Sequence, residues 1–163
     1  MNGAESVQSD LALTPVSEIM RETVLKVTPA TPVTEIFSWF RKRGHTHLIV
    51  TDAQGSVLGV ITSFDLLSAI SPTIGMGSER NYLSLDRLIK SNAREAGDLM
   101  APVPVIMKGT EPLVRALEMM EHYRYPYTVV TDQQGHLTGI VEFADIVKFL
   151  INKGHVLGGK SPQ

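Results

Sequence analysis

Val50-Thr51-Asp52-Ala53-Gln54-Gly55 returns 80 residues later as Val130-Thr131-Asp132-Gln133-Gln134-Gly135. Both stretches end an apolar run in the Asp-x-x-Gly composition of a hairpin turn. Outward from each turn lie two short apolar segments that read as paired strands: His47 to Thr51 with 57–61, and Tyr127 to Thr131 with 137–141. The offset holds without a gap beyond the turns. Met20 falls on Met100, Pro32 on Pro112, Gly59 on Gly139 and Asp65 on Asp145. A constant offset across that span is an internal repeat.

Further outward, each copy carries a helix on one side and another on the other. Val33, Ile36, Phe37 and Phe40 follow the spacing of a half-buried helix, and Leu113, Ala116, Leu117 and Met120 repeat it. Pro32 and Pro112 stand at the helix starts, where a missing N–H costs little. Gly44 reads as a helix stop, a signal that Arg124 at the matching place does not share. An extended stretch precedes each helix: Val24-Leu25-Lys26-Val27 in one copy, Val105-Ile106-Met107 in the other. A last helix begins near Asp65 and near Asp145. Each copy is thus β-α-β-β-α, and a copy of about 55 residues buries little core alone. The fold class expected is α/β, two such repeats in tandem related by a pseudo-two-fold axis. The expected organisation is a flexible tail over 1–14, a first repeat over 15–71, a linker with a short helix over 72–95, a second repeat over 96–153 and a flexible tail over 154–163. Ser84, Leu85, Leu88 and Ile89 suggest the linker helix.

Composition narrows the function classes. Of 163 residues, 43% are hydrophobic and 20% charged, as in a globular chain, and the net charge of -2 gives no reason to expect nucleic acid. With no cysteine, disulfides, thiolate catalysis and cysteine zinc sites are excluded. Met1 to Asp10 lacks an apolar signal core, and no apolar run approaches the roughly 18 to 20 residues that span a bilayer. The expectation is a cytoplasmic protein without membrane insertion.

At this point the sequence resembles the CBS-domain family, named after cystathionine β-synthase. The pattern is a strand, an Asp-x-x-Gly turn, a second strand with Gly, then Thr-or-Ser-x-x-Asp opening a helix. The first copy supplies Asp52 to Gly55 and Gly59-Val60-Ile61-Thr62-Ser63-Phe64-Asp65. The second supplies Asp132 to Gly135 and Gly139-Ile140-Val141-Glu142-Phe143-Ala144-Asp145. The resemblance implies a non-catalytic regulatory pair that binds AMP, ADP, ATP or S-adenosylmethionine between its repeats. It also implies a homodimer and an effector protein that reads occupancy. In the family the helix-opening aspartate reads the ribose hydroxyls, and the Thr or Ser before it contacts phosphate.

Carried over residue by residue, one expected site comprises Thr62 and Asp65, with Val105, Tyr125 and Pro126 against the adenine. The other comprises Asp145 with Leu25, His45 and Thr46. The chemistry is coherent: a carboxylate accepts from both ribose hydroxyls, and a helix N-terminus offers N–H groups to phosphate. Glu142 replaces the Thr or Ser of the second site. Two like charges about 4 Å apart cost roughly 4 kcal/mol at an effective dielectric near 20. The expectation is that the Thr62/Asp65 site fills first.

Other features read more plainly. His45 and His47 share a strand face, but no third metal ligand is placed by sequence, so packing is expected. Met119 and Met120 read as core and flank. Trp39 stands off the main stripe, partly exposed or at a dimer interface. Gly154 to Ser161 matches the phosphate-loop expression, but no helix can follow it. No nucleophile with its base, metal set or acid pair suggests an enzyme. The rival reading is a ligand-free structural interaction or dimerisation module.

Overall fold

The computed structural model describes residues 3–42, 47–70 and 92–155. In chain order the elements are α1 (Gly3–Leu13), a 3-10 turn (Val16–Glu18), β1 (Lys26–Val27), α2 (Val33–Arg41), β2 (His47–Thr51), β3 (Val57–Thr62), α3 (Ser63–Ile70), α4 (Ala96–Leu99), β4 (Ile106–Lys108), α5 (Leu113–Tyr123), β5 (Tyr127–Thr131), β6 (Leu137–Glu142) and α6 (Phe143–Asn152). The strands form two three-stranded mixed sheets, β1-β2-β3 and β4-β5-β6. In each, the first pair is parallel and the second antiparallel. A parallel pair needs a crossover, and α2 and α5 supply it. The α/β class and the β-α-β-β-α repeat are as the sequence implied, with β1 two residues shorter than expected and β4 displaced by one residue.

The hairpin turns show why Asp-x-x-Gly recurs. Asp52 Oδ1 accepts from the N–H groups of Gln54 at 2.9 Å and Ser56 at 2.8 Å. Asp132 Oδ1 accepts from Gln134 at 2.8 Å and His136 at 2.9 Å. Gly55 and Gly135 both sit at φ +90, where a side chain is strained. The backbone bond from His136, then the His136 side chain and the Gln134 amide, hold the Asp132 carboxyl below its ordinary 3.8 against a smaller opposing effect of desolvation. A carboxyl depressed on folding contributes stability that is present above 3.8 and lost as pH falls through the lower folded value. Asp132→Asn is therefore expected to flatten the acid loss of stability. Comparing thermal midpoints of both proteins at neutral pH and at about pH 3 checks this; parallel losses would contradict it.

The chain divides into two compact units, 24–103 and 1–23 with 104–163. Each unit is therefore built from one repeat's sheet and the lead-in segment of the other repeat. In the 24–103 unit, Val60 N–H donates to Ala101 O, and Ala101 N–H to Val60 O, both at 2.9 Å. In the other unit, Arg21 N–H donates to Ile140 O at 2.8 Å and Ile140 N–H to Arg21 O at 3.0 Å. The repeated glycine of the second strand makes room for this contact. A Cβ at Gly59 would lie 2.8 Å from Ala101 O and 3.0 Å from Met100 Sδ; one at Gly139 would lie 2.9 Å from both Arg21 O and Met20 Sδ. The repeated methionines and glycines are thus two halves of the same contact.

Each unit closes its own core. Val27, Ile36, Leu48, Val50, Ile61, Leu66 and Leu99 fill one. Val16, Val105, Met107, Leu113, Met120, Val130, Val141, Ile146 and Leu150 are among those that fill the other. Residues 3–13, expected as part of a flexible tail, form α1, which buries Leu11 in that second core. Arg124, read as breaking the shared helix stop, takes the left-handed cap itself at φ 60 and ψ 34, and Tyr125 N–H closes the turn on Met120 O at 3.2 Å. Trp39 packs half-buried beside its core, with Lys42 Nζ 4.2 Å from its ring centroid. Among the described residues no helix is long and apolar enough to cross a membrane. Gly44, the linker residues Ser84, Leu85, Leu88 and Ile89, and the chain after His155 lie outside the described residues.

Candidate ligand sites at two helix starts

In the 24–103 unit, β3 runs into α3 at Thr62. This residue donates its backbone N–H at 2.7 Å and its hydroxyl at 2.8 Å to the same Asp65 oxygen, Oδ2. Asp65 stands in the first turn of α3 and is buried, 8% exposed. A carboxylate in the first turn is favoured by the helix dipole. Thr62 and Asp65 are therefore together, as expected, and the Thr62 hydroxyl proton is directed at the carboxylate. Leu25 lies in the same unit, packed against its core, and its carbonyl accepts from Ile49 N–H at 3.1 Å.

In the other unit, β6 runs into α6 at Glu142. Its N–H donates at 2.9 Å to Asp145 Oδ2, and the Asp145 N–H donates in return to the Glu142 carboxylate, completing a capping box. The site has a cation that sequence reading missed. Arg21 Nη2 lies 2.7 Å from Glu142 Oε1, and its Nε lies 3.2 Å from Asp145 Oδ2. The main-chain bridge to Ile140 holds this arginine on β6. Burial pulls the guanidinium pKa down, but the bond to Glu142 and the charges of Asp145 and Glu142 raise it overall. Glu142 is thus charge-compensated, which the repulsion argument from sequence left out. A signal existed. At the matching positions the other copy has Ala101 and Thr62, so arginine and glutamate arrive together and leave together.

Arg21 is about half exposed at 47%, against 30% for Glu142 and 21% for Asp145, so its pairs contribute modestly, under about 1 kcal/mol. Arg21→Ala is expected to cost about that much in chemical denaturation at low salt and less at high salt. A loss unaffected by salt would assign Arg21 a packing role instead.

A recess of about 390 Å³ adjoins Asp145, lined by Ile19, Arg21, Asp145, Lys148, Phe149, Asn152 and Lys153. A second, of about 430 Å³, includes Tyr125, Pro126, Leu117, Met120 and Phe143 in its walls. Tyr125 and Pro126 thus border open space. Val105 is 1% exposed and its side chain belongs to the core, so only its main chain could serve a ligand. These three expected adenine contacts belong to the 1–23/104–163 unit and Asp65 to the other. His45 and Thr46 lie outside the described residues.

The sequence and fold have known relatives. The family model described as CBS domain matches residues 16–72 and 96–152. The chloroplastic CBS domain-containing protein CBSX1 of Arabidopsis thaliana is 26% identical over 141 residues, covering 78% of this chain and 59% of that protein. The chain therefore spans little more than half of that relative. The structure of CBSX2 in complex with AMP superposes with a TM-score of 0.73 at 25% identity, over 85% of this chain and 97% of that one. The CBS domain pair of protein MJ0100, solved with 5'-methylthioadenosine and S-adenosyl-L-methionine, gives 0.65 at 20% identity, over 84% of this chain and 99% of that one; it shares the fold.

Proposed function

The chain belongs to the CBS-domain family, as a tandem pair, and from that premise we propose that it is a non-catalytic regulatory module for an adenine nucleotide or another adenosyl ligand. The observation that carries the reading is a carboxylate set twice in one geometry. Asp65 and Asp145 each stand in the first turn of the helix that follows the hairpin, each with Oδ2 tied to the preceding main-chain N–H. That bond orients the carboxylate, and a carboxylate so fixed can accept from ribose hydroxyls. The AMP complex of CBSX2, at 25% identity, supports the ligand class. Thr62 would meet a phosphate by turning its hydroxyl proton from Asp65, and Leu25, Val105, Tyr125 and Pro126, with His45 and Thr46, complete the proposed adenine contacts.

Regulation follows if ligand favours one of two states of the chain, since a ligand shifts an equilibrium only by its differential affinity. An effector protein would read that shift. The homodimer belongs to the same proposal. It is supported by exposed apolar residues on the two helices concerned, Phe64 at 78% and Ile70 at 66% on α3, and Phe143 at 52% and Ile151 at 57% on α6.

Calorimetric titration with AMP, ADP, ATP and S-adenosylmethionine tests the reading. Saturable binding of at least one, with a raised thermal midpoint, is expected. Heat-silent titrations and unmoved midpoints for all four would leave a structural interaction module.

A further inference from the structure

We infer that the recess beside Asp145 seats the polyphosphate tail of a nucleoside di- or triphosphate, which makes this site selective for tail length. The inference rests on the adenosyl reading for the nucleoside half, and on the recess itself for the tail. Four residues of α6 face it at helical spacing, Asp145, Lys148, Phe149 and Asn152, with Lys153 just beyond. From Asp145 to Asn152 the helix runs roughly 10 Å. That is the span of a ribose with an extended phosphate chain.

The two ends of the recess differ in chemistry. At the α6 start, Asp145 spends Oδ2 on Glu142 N–H and Arg21. Its Oδ1 meets no donor among the described residues and can accept a hydroxyl. Toward the other end stand Lys148 and Lys153, both exposed. Lys148 has no ion-pair partner among the described residues, and Lys153 Nζ lies 5.6 Å from the Phe149 ring centroid, over an apolar wall. Arg21, Lys148 and Lys153 give three cations against the two carboxylates Asp145 and Glu142, and both carboxylates are already on Arg21. The uncompensated charge is therefore at the lysine end. A single phosphate next to the ribose stays near Arg21, whereas only a longer tail reaches both lysines. The first copy has Ser68, on α3, and Thr73 at the places of Lys148 and Lys153, so its sequence writes no equivalent pair of cations at Asp65.

The test is a titration of AMP, ATP and inorganic tripolyphosphate into the full chain carrying Asp65→Asn, with and without Lys148→Ala and Lys153→Ala together. ATP is expected to bind at least about tenfold tighter than AMP. The lysine variant should bring ATP down to the AMP level, leave AMP within about twofold and lose tripolyphosphate. Arg94→Ala and Arg115→Ala together, an equal loss of two charges at exposed positions outside the recess, should leave all three unchanged. Equal ATP and AMP affinities, or an ATP preference that survives the lysine changes, overturns the polyphosphate seat and leaves the adenosyl reading standing. Tripolyphosphate binding that depends on the lysines, without any AMP or ATP advantage from the nucleoside, supports the seat and removes the adenosyl reading at this site. Silence from all three probes overturns the seat and the adenosyl reading at Asp145, and leaves the Thr62/Asp65 site to the wild-type titration.

Discussion

Gly139→Val is expected to unfold at markedly lower denaturant than the wild type, with roughly 1–3 kcal/mol lost. The first carbon of the new side chain would already lie 2.9 Å from Arg21 O and 2.9 Å from Met20 Sδ. The sulfur ends a flexible side chain and can move. The carbonyl cannot, because it accepts from Ile140 N–H in the main-chain bridge. Relief therefore requires the lead-in segment to lift from β6, and with it Arg21 from Glu142 and Asp145. Adding Met20→Ala should recover only part of the loss, since the carbonyl clash persists. A Gly139→Val midpoint equal to wild type would show that the segment does not pack on β6 as described.

Asp65→Ala carries the largest expected effect on binding. Two costs add. The first is structural, since Thr62 N–H and hydroxyl both lose their acceptor at the α3 start; loss of a helix-start cap costs about 0.5–2 kcal/mol. The second falls on the ligand, whose ribose hydroxyls lose a charged acceptor. Hydrogen bonds to charged groups contribute about 1.5–3 kcal/mol, so affinity at this site should fall about 10- to 100-fold. Asp65→Asn separates the two. Its amide oxygen keeps an acceptor for Thr62, while the amide nitrogen presents donors to hydroxyls that need an acceptor. Stability should be largely kept and affinity lost. If Asp65→Asn binds AMP as the wild type does, the carboxylate is a helix cap and no more.

Much of the fold could be read from the sequence because it is written twice. The turn signals, the strand runs and the helical stripes each carry local information, and repetition multiplies it. The failures share a cause. An offset of 80 says which residues are equivalent, not which ones touch. Met20 and Gly139 were visible as repeat members, as were Met100 and Gly59, but their contact pairs non-equivalent positions of different copies. Arg21 was overlooked for the same reason: its partners Glu142 and Asp145 are 121 and 124 residues away. The polar composition of the first residues reads as a tail, yet Leu11 anchors α1 to the core. Arg124 shows that the left-handed backbone at a helix end can fall on a residue that does not favour it.

The most direct measurement of the central claim is a calorimetric titration of AMP into the wild type and into Asp65→Asn at matched concentration, with thermal midpoints taken on the same samples. The account predicts saturable binding to the wild type, and at least about tenfold weaker binding to a variant that melts close to it. Indistinguishable titrations on two equally folded proteins would contradict it.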